Sequence, residues 1–306
     1  MRSFKSIYFL FLLILNIFIS SCDNLVDTIV TLYYRDENYM YFIPVTTTMK
    51  LNSSLGSVVK EEDLRNILEE LKKSKGDLIS CIPKSVNIKD LKLDKDKNLL
   101  EITLEGNNNK LYDTDEQFLI GSIVNTFTEF SQIKNVLFKL DKLSSEIDYS
   151  QPFDRKSWAN LWFSADELNE NLSLATIYWL TKDKKYFVPI TVPIIKNDVV
   201  NLIEVLKLGP NKSKKQFLEN PINKDIDLKI KAVNMKSIII EVKSKKNLPL
   251  SVVNTAKLAV LYTLVEFGFF ENIKIELSEG QVEEFDLIKT NPKQSINRIE
   301  LFSGAK

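Results

Sequence analysis

The sequence predicts an α+β protein made of two tandem copies of one module, because one stretch of the chain occurs twice. Residues 31–46 read TLYYRDENYMYFIPVT and residues 176–191 read TIYWLTKDKKYFVPIT, an offset of 145 without a gap. A later block, 126–140, recurs at 263–277 with an offset of 137. Solenoid repeats run about 20–50 residues, so a repeat of this length indicates a duplicated domain.

Each copy predicts the same order of elements, ββαββαβ. Runs of β-branched and aromatic residues that flank polar turns predict strands, and apolar residues recurring every three or four positions predict helices. We expect the helices to cover one face of each sheet. The strands predicted in the first copy are 29–34, 39–46, 86–93, 99–104 and 136–140, and its helices lie near 61–73 and 115–130. The second copy has strands near 174–180, 185–192, 226–233, 238–243 and 273–277, and helices at 198–207 and 249–267.

The apolar faces of these helices predict the core. Phe130 and Phe267 end the second helix of each copy on that face, so we expect both to be buried anchors. The other inward residues predicted are Leu64, Ile67, Leu68, Leu71, Leu119, Ile120, Ile123, Val124, Phe127, Val199, Leu202, Ile203 and Leu206.

The first residues predict an export signal. Arg2 and Lys5 precede the apolar run Ile7–Ile19, which is shorter than the roughly 20 residues that a membrane-spanning helix needs. The run ends in Ser20-Ser21-Cys22, which resembles a bacterial lipobox and implies lipid attachment to Cys22 and cleavage before it. An ordinary signal peptide with an incidental cysteine and an uncleaved anchor are the alternatives. We expect no second membrane span.

The predicted organisation therefore has five parts, and the mature protein is expected to be extracytoplasmic and anchored to the cell membrane by lipid. These parts are a lipoprotein signal peptide at 1–21, a first domain at 22–142, an aromatic-containing linker at 143–172, a second domain at 173–280 and a C-terminal tail at 281–306.

The charge balance argues against nucleic acid as a partner. Lys plus Arg and Asp plus Glu both total 41, so no global field attracts a polyanion. The balance hides a split, because 23–142 holds 16 basic and 20 acidic residues whereas 170–280 holds 17 and 12. A solvated surface explains this split, and so would head-to-tail contact or contact with an anionic wall or membrane.

The residues that usually carry catalysis are missing, which predicts a protein without enzymatic activity, metal or cofactor. The chain has no histidine, which excludes histidine-activated nucleophiles and histidine zinc sites, and no phosphate-binding glycine loop. Two carboxylates alone can hydrolyse glycosides. Glu129 and Glu266 are the candidates, because both copies keep an acid there. At the end of a helix, we expect each of them to face water.

The linker and the remaining cysteine each allow two interpretations. Trp158 and Trp162 indicate either a short helix packed between the domains or an exposed aromatic surface for a partner or a glycan. Cys81 stands in the apolar stretch ISCIP and predicts a buried, inert thiol.

In both copies the order of these motifs resembles the GerMN domain of sporulation and spore germination. The resemblance covers roughly 28–141 and 172–279. It rests on the tyrosine-rich hairpin, on IVNTFTEF at 123–130 and YTLVEF at 262–267, and on LGP at 208–210, which resembles the family's usual ending of the first helix. Two departures concern one loop: KS at 84–85 replaces the usual Gly-Thr, and NPIN at 220–223 lacks the Ile-Pro pair of the first copy.

The resemblance implies a lipoprotein scaffold or assembly protein in an envelope-spanning sporulation complex, without catalysis. Its implied partners are the membrane through Cys22, other envelope or sporulation-complex proteins and a further copy of itself. The alternative is a cell-wall module that binds peptidoglycan or hydrolyses it weakly. A substrate-binding lipoprotein for transport is a third candidate, although such proteins usually have two parallel α/β lobes.

Overall fold

The computed structural model describes residues 25–297 except Tyr39, 53–58, Tyr112, 161–168, 212–214 and 278–279. Cys22 and the predicted signal peptide therefore lie outside the described residues, as does Trp162. Within this part the chain forms two α+β modules, which confirms the predicted fold class. The side chain of Asn109 is likewise outside the description.

The first module has the predicted order of elements and one additional short strand. Its elements are β1 (Val26–Arg35), β2 (Phe42–Leu51), α1 (Glu61–Leu71), β3 (Asn87–Asp94), β4 (Leu99–Lys110), α2 (Asp113–Phe127), β5 (Asn135–Ser144) and β6 (Phe153–Asp154). A 3₁₀ helix, Arg155–Trp158, follows directly.

The second module repeats the order of the first and adds one short strand, β9; its last strand, β13, has the sheet position of β6. Its elements are β7 (Leu172–Thr181), β8 (Phe187–Ile195), α3 (Val199–Leu208), β9 (Leu218–Glu219), β10 (Ile226–Val233), β11 (Ser237–Ser244), α4 (Leu250–Phe267), β12 (Asn272–Leu277) and β13 (Val282–Asp286). A second 3₁₀ helix, Pro292–Ser295, follows.

The two hairpins have the same register, as the repeated blocks predict. Thr31 lies opposite Thr46 in the antiparallel pair β1–β2, and Thr176 lies opposite Thr191 in β7–β8. Each module also has a four-stranded sheet, in the orders β3-β4-β5-β6 and β10-β11-β12-β13. Its central pair is parallel in both modules, joined through α2 or α4.

The long helices α2 and α4 pack against strands of both sheets of their module. Helix α2 contacts β1 and β5, and α4 contacts β7, β11 and β12. Among the described residues, α4 is the one helix whose 18 residues and composition would allow a membrane span. Its buried side, which includes Val253, Val260 and Leu264, lies in the core of the module, as in the central helix of a folded domain.

Most predicted core residues are buried, but the two phenylalanine anchors are not. Phe127 is fully buried at the end of α2, whereas Phe130 lies three residues beyond the helix and is half-buried. Leu264 and Phe267 differ in the same way on α4. The rings of Phe130 and Phe267 both pack against the buried core as partly buried residues.

Cys81 is buried and free, as predicted. Burial raises the pKa of its thiol to about 12, so the thiolate that reacts with oxidants is scarce at neutral pH.

Candidate functional site

The two glutamates meet between the modules, so the expectation that each faces water was wrong. Glu129 follows the end of α2, and Glu266 lies in the last turn of α4. The Lys293 ammonium contacts both carboxylates, Glu129 at 3.4 Å. Their side chains are only 18% and 21% exposed. Both carboxylates are thus largely removed from water at the point where they share Lys293.

In each module a hairpin tyrosine donates to the glutamate, and a threonine of the long helix accepts from the backbone N–H of that tyrosine. The Tyr33 hydroxyl donates to Glu129 Oε1 at 2.7 Å, and the Tyr33 backbone N–H donates to Thr126 Oγ1 at 3.1 Å. These residues recur in the sequence because they form one hydrogen-bonded unit. The second module repeats both contacts with Tyr178, Glu266 and Thr263, at 3.0 Å and 3.2 Å.

Two cations complete the cluster, and both come from 3₁₀ helices. Arg155 Nη2 lies 2.6 Å from Glu129 Oε1 and also donates to the Tyr33 hydroxyl. The Arg155 guanidinium lies 5.2 Å from the centroid of the Tyr33 ring, within the range of a cation–π contact. Lys293 supplies the second charge. We call these six residues the inter-module cluster: Tyr33, Glu129, Arg155, Tyr178, Glu266 and Lys293.

The cluster favours charged carboxylates. Burial alone would raise the pKa of Glu129, but Lys293, Arg155 and the hydrogen bonds outweigh it and lower the pKa to about 2. The pKa of Glu266 is lowered too, since Lys293 and Arg155 again outweigh burial. Burial would lower the pKa of Lys293, but Glu266 and Glu129 raise it. The cluster is thus a set of ion pairs at neutral pH.

An asparagine from the connecting segment ties the two hairpins together. Asn160 Oδ1 accepts from the Phe42 N–H at 2.9 Å, and its Nδ2 donates to the Phe42 carbonyl of the first module. The same Nδ2 donates to the Pro189 carbonyl of the second module at 2.8 Å. The Asn160 carbonyl also accepts from the Thr191 N–H at 2.8 Å. One side chain therefore satisfies backbone groups of both modules.

The C-terminal segment makes the reciprocal contact. Asn297 Oδ1 accepts from the Phe187 N–H at 2.7 Å, and its Nδ2 donates to the carbonyls of Phe187 and Pro44, each at 2.8 Å. The Thr46 N–H donates to the Ile296 carbonyl at 3.1 Å. This end of the chain thus crosses onto the first module, and we call 154–160 and 291–297 the two straps.

The straps are a third repeated block that the sequence reasoning missed. At the offset of 137, Lys156 corresponds to Lys293 and Asn160 to Asn297, and both 3₁₀ helices span equivalent positions. Asp154 and Asn291 are equivalent as well, and each accepts a backbone N–H as N-cap. Two identities in seven positions are too few to detect a repeat without the structure.

Trp158 lies in the first strap. It is half-buried, its ring centroid lies 5.6 Å from that of Phe153, and its carbonyl accepts from Asn125 Nδ2 at 2.9 Å. The partner surface expected of Trp158 and Trp162 stays a prediction, because Trp162 lies outside the described residues.

A cleft of about 670 Å³ opens beside the cluster, between the modules. Tyr33, Arg155 and Glu266 lie at its wall. The remaining described lining combines apolar and polar residues: Phe42, Trp158, Ala159, Leu174, Ala175, Pro189, Phe267 and Phe269 with Asn125, Lys156, Asn160, Ser173, Thr176, Thr191 and Asn197.

The cluster is poorly suited to hydrolysis. Glu129 and Glu266 contact one ammonium, so they are close enough for the separation of roughly 5–10 Å that carboxylate-dependent glycoside hydrolases use. Such an enzyme also needs one protonated carboxyl group as general acid, with a raised pKa. Both pKa values are lowered instead. In the part of the chain that the structure describes, no group of three His, Cys, Asp or Glu residues could hold a metal.

Comparison with known proteins assigns the first module to a family. Residues 31–142 match the family model Germane, described as sporulation and spore germination. A comparison with curated protein sequences gives no match.

Solved structures extend the similarity to the whole chain. The tandem GerMN domains of the sporulation protein GerM from Bacillus subtilis match with a TM-score of 0.58 and 17% identity, over 90% of this chain and 94% of that one. The first GerMN domain of the same protein gives a TM-score of 0.31 at 19% identity over 42% and 98% of the two chains. A putative lipoprotein from Clostridium perfringens gives 0.28 at 19% identity over 43% and 89%.

At these identities the full-length match establishes the fold, and the two partial matches add nothing to it. The family model covers the first module alone, while the repeated hydrogen bonds relate the second module to the first. Residues 31–142 therefore match the Germane family of sporulation and spore germination, and the chain as a whole has the fold of tandem GerMN domains.

Proposed function

We propose that this protein is a lipid-anchored, extracytoplasmic assembly protein that presents its two modules to envelope partners as a single unit and catalyses no reaction. The inter-module cluster is the observation that carries this proposal. Its acids and cations, which would be the most chemically capable groups of the chain, are paired with one another across the contact between the modules. They fix the arrangement of two surfaces rather than supply a free acid or base.

The anchor would place this unit directly at the membrane. Only Asp23, Asn24 and Leu25 separate Cys22 from β1. A lipid on Cys22 would thus hold the first module near the bilayer surface. A single acyl chain gives only marginal membrane binding, so the diacylglyceryl group implied by the lipobox is the relevant anchor.

Partners are expected on the faces of the modules rather than at the sheet edges. The outer strands β3 and β10 each contain a register irregularity, between Ile88 and Asp90 and between Ile230 and Ala232. Exposed lysines stand on both strands, among them Lys89 and Lys229. Bulges and lysines on an edge strand oppose pairing with another strand. Assembly, including any with a second copy, would therefore use side-chain contacts.

The family description supports sporulation and germination as the setting of such partners, and we propose an envelope-spanning complex. One observation favours the alternative, a cell-wall module. The cleft beside the cluster has aromatic and polar walls and a volume in the range of ligand sites. Peptidoglycan binding without cleavage would be compatible with paired, ionised glutamates, whereas hydrolysis would not.

Affinity capture of the lipidated protein from envelope membranes tests the proposal. We expect wild-type protein to retain the same envelope proteins as a Glu204→Gln control, in which an exposed helix residue is changed. The Cys22→Ala variant should lose lipid labelling and those partners. Normal labelling of Cys22→Ala would contradict the anchor, and capture of no protein by wild type would contradict assembly.

Incubation of the mature protein with purified peptidoglycan separates the two candidates. We expect no release of soluble fragments. Release that disappears in Glu129→Gln or Glu266→Gln would establish the hydrolytic alternative, provided that the variants keep the wild-type circular dichroism spectrum.

A further inference from the structure

We propose that the cleft between the modules is a binding site for a small amphipathic anion, with a carboxylate or similar acidic group at one end and an apolar body. The inference does not depend on the anchor or on assembly. It rests on the distribution of charge and apolar surface in the cleft, whose volume of about 670 Å³ fits an organic ligand rather than a single ion.

The charged side chains of the cleft lining sum to a net positive charge. Arg155 and Lys156 are its cations, and Glu266 is its acid. Lys293 already contacts Glu266 from within the cluster, so that negative charge is compensated. Lys156 is exposed. The equivalent lysine of the second strap, Lys293, pairs with the glutamates of the cluster. In the first strap Arg155 pairs with Glu129 instead, so the Lys156 ammonium remains at the cleft. Because Glu129 already pairs with Arg155, an anionic group there would be attracted mainly by the Lys156 ammonium.

The lining also offers apolar contact. Leu174 and Phe269 are 44% and 52% exposed, and Phe267 and Trp158 are half-buried. Exposed apolar side chains gathered at a concave surface mark binding sites more often than isolated ones do.

The first module has a different surface at the equivalent positions. Gln132 replaces Phe269 there, and its Oε1 accepts from the Val59 N–H at 2.9 Å. Ile29 corresponds to Leu174 and is half-buried. The exposed Leu174 and Phe269 therefore have no exposed apolar counterparts in the first module, so this part of the wall is not a consequence of the duplicated fold.

Two fluorescent probes with the same ring system test the charge requirement. The anion 8-anilinonaphthalene-1-sulfonate should bind the mature wild-type protein more tightly than the neutral N-phenyl-1-naphthylamine. Lys156→Gln should weaken binding of the anion and leave that of the neutral probe unchanged, whereas Lys224→Gln, at an exposed lysine outside the cleft, should change neither. Equal affinity for both probes, or an identical effect of Lys156→Gln on both, would overturn the proposal.

Leu174→Glu tests the position of the site. It places a negative charge on the cleft wall and should weaken binding of the anionic probe at least about tenfold, equivalent to 1.4 kcal/mol. Ile195→Glu is the matched control, because Ile195 is 50% exposed and lies outside the cleft. Ser173→Phe, which fills the cleft without charge, should also reduce binding if Leu174→Glu unfolds. Wild-type binding by a folded Leu174→Glu or Ser173→Phe variant would overturn the proposal.

Discussion

In the first module, the side chain of Ser80 holds the loop that follows helix α1 through two hydrogen bonds to the backbone. Its hydroxyl donates to the Leu71 carbonyl at 2.8 Å and accepts from the Ile82 N–H at 3.1 Å. In the second module, Asn220 does the same after α3, donating to the Lys207 carbonyl at 2.9 Å and accepting from the Ile222 N–H at 2.8 Å.

The comparison shows that the copies preserve hydrogen bonds where they no longer share residues. Ile82 and Ile222 are both 5% exposed, so the second copy has kept the buried isoleucine of this loop. The second copy therefore lacks only the proline of the Ile-Pro pair: Asn223 takes the place of Pro83, and the Pro83 and Asn223 carbonyls accept from the N–H groups of Val86 and Ile226. A turn needs a donor and an acceptor at one point, and either a hydroxyl or an amide can provide both.

The modules differ most in how strongly each glutamate is held, and this difference gives the largest expected effect. Glu129 contacts Tyr33, Arg155 and Lys293, whereas Glu266 contacts Tyr178 and Lys293. Removing one partner of a buried ion pair costs about 3–5 kcal/mol, and we expect Glu129→Gln to lie in this range.

Glu266→Gln should cost less, because Lys293 would still contact Glu129. Urea unfolding of both variants measures the difference, and Glu204→Gln on the exposed face of α3 should be neutral. Equal losses for the two variants would show that the modules contribute to the cluster symmetrically.

The helix ends give the next comparison. Phe127 is fully buried and Phe130 half-buried. Phe127→Ala should therefore lower the unfolding free energy by about 3–5 kcal/mol, and Phe130→Ala by clearly less. Denaturant melts of the two single variants decide the matter, and a loss from Phe130→Ala that matches Phe127→Ala would restore Phe130 as a core anchor.

The equivalence of the two loops can be tested by removing the hydrogen-bonding side chain in either copy. Ser80→Ala and Asn220→Ala each leave a carbonyl and an N–H without their partner, so each should cost about 1–3 kcal/mol. Ser85→Ala, at an exposed serine of the same loop, is the control. If only one of the two variants is destabilised, the hydrogen bonds are not equivalent.

Acid should weaken the cluster through Glu129. Its pKa is lowered from 4.5 to about 2 in the folded protein, so its contribution is complete above the unfolded value and is lost as pH falls toward 2. At pH 3.5 the wild type should have lost about 1 kcal/mol relative to pH 6 from this group alone. Glu129→Gln should lack this component, and parallel pH curves for the two proteins would rule it out.

Much of the fold could be predicted because it depends on local periodicity. The hairpin strands and the buried faces of α1 and α3 follow directly from alternating or three-and-four spacing. The short strands β6 and β9 could not be predicted, because two residues carry no period. The cluster could not be predicted for another reason. Glu129 and Glu266 lie 137 residues apart, and the cations that pair with them come from the straps, whose repeat is too diverged to recognise.

The central claim is that the cluster and straps make the two modules one cooperative unit, and one unfolding experiment tests it. In a mature Cys22→Ser variant, Cys81 is the sole thiol and is buried in the first module. With Trp158→Phe and Trp162→Phe, Trp179 becomes the sole tryptophan and is buried in the second. Thiol reactivity of Cys81 and fluorescence of Trp179 should change at the same urea concentration. Reactivity of Cys81 while Trp179 fluorescence is still native would show that the modules unfold independently.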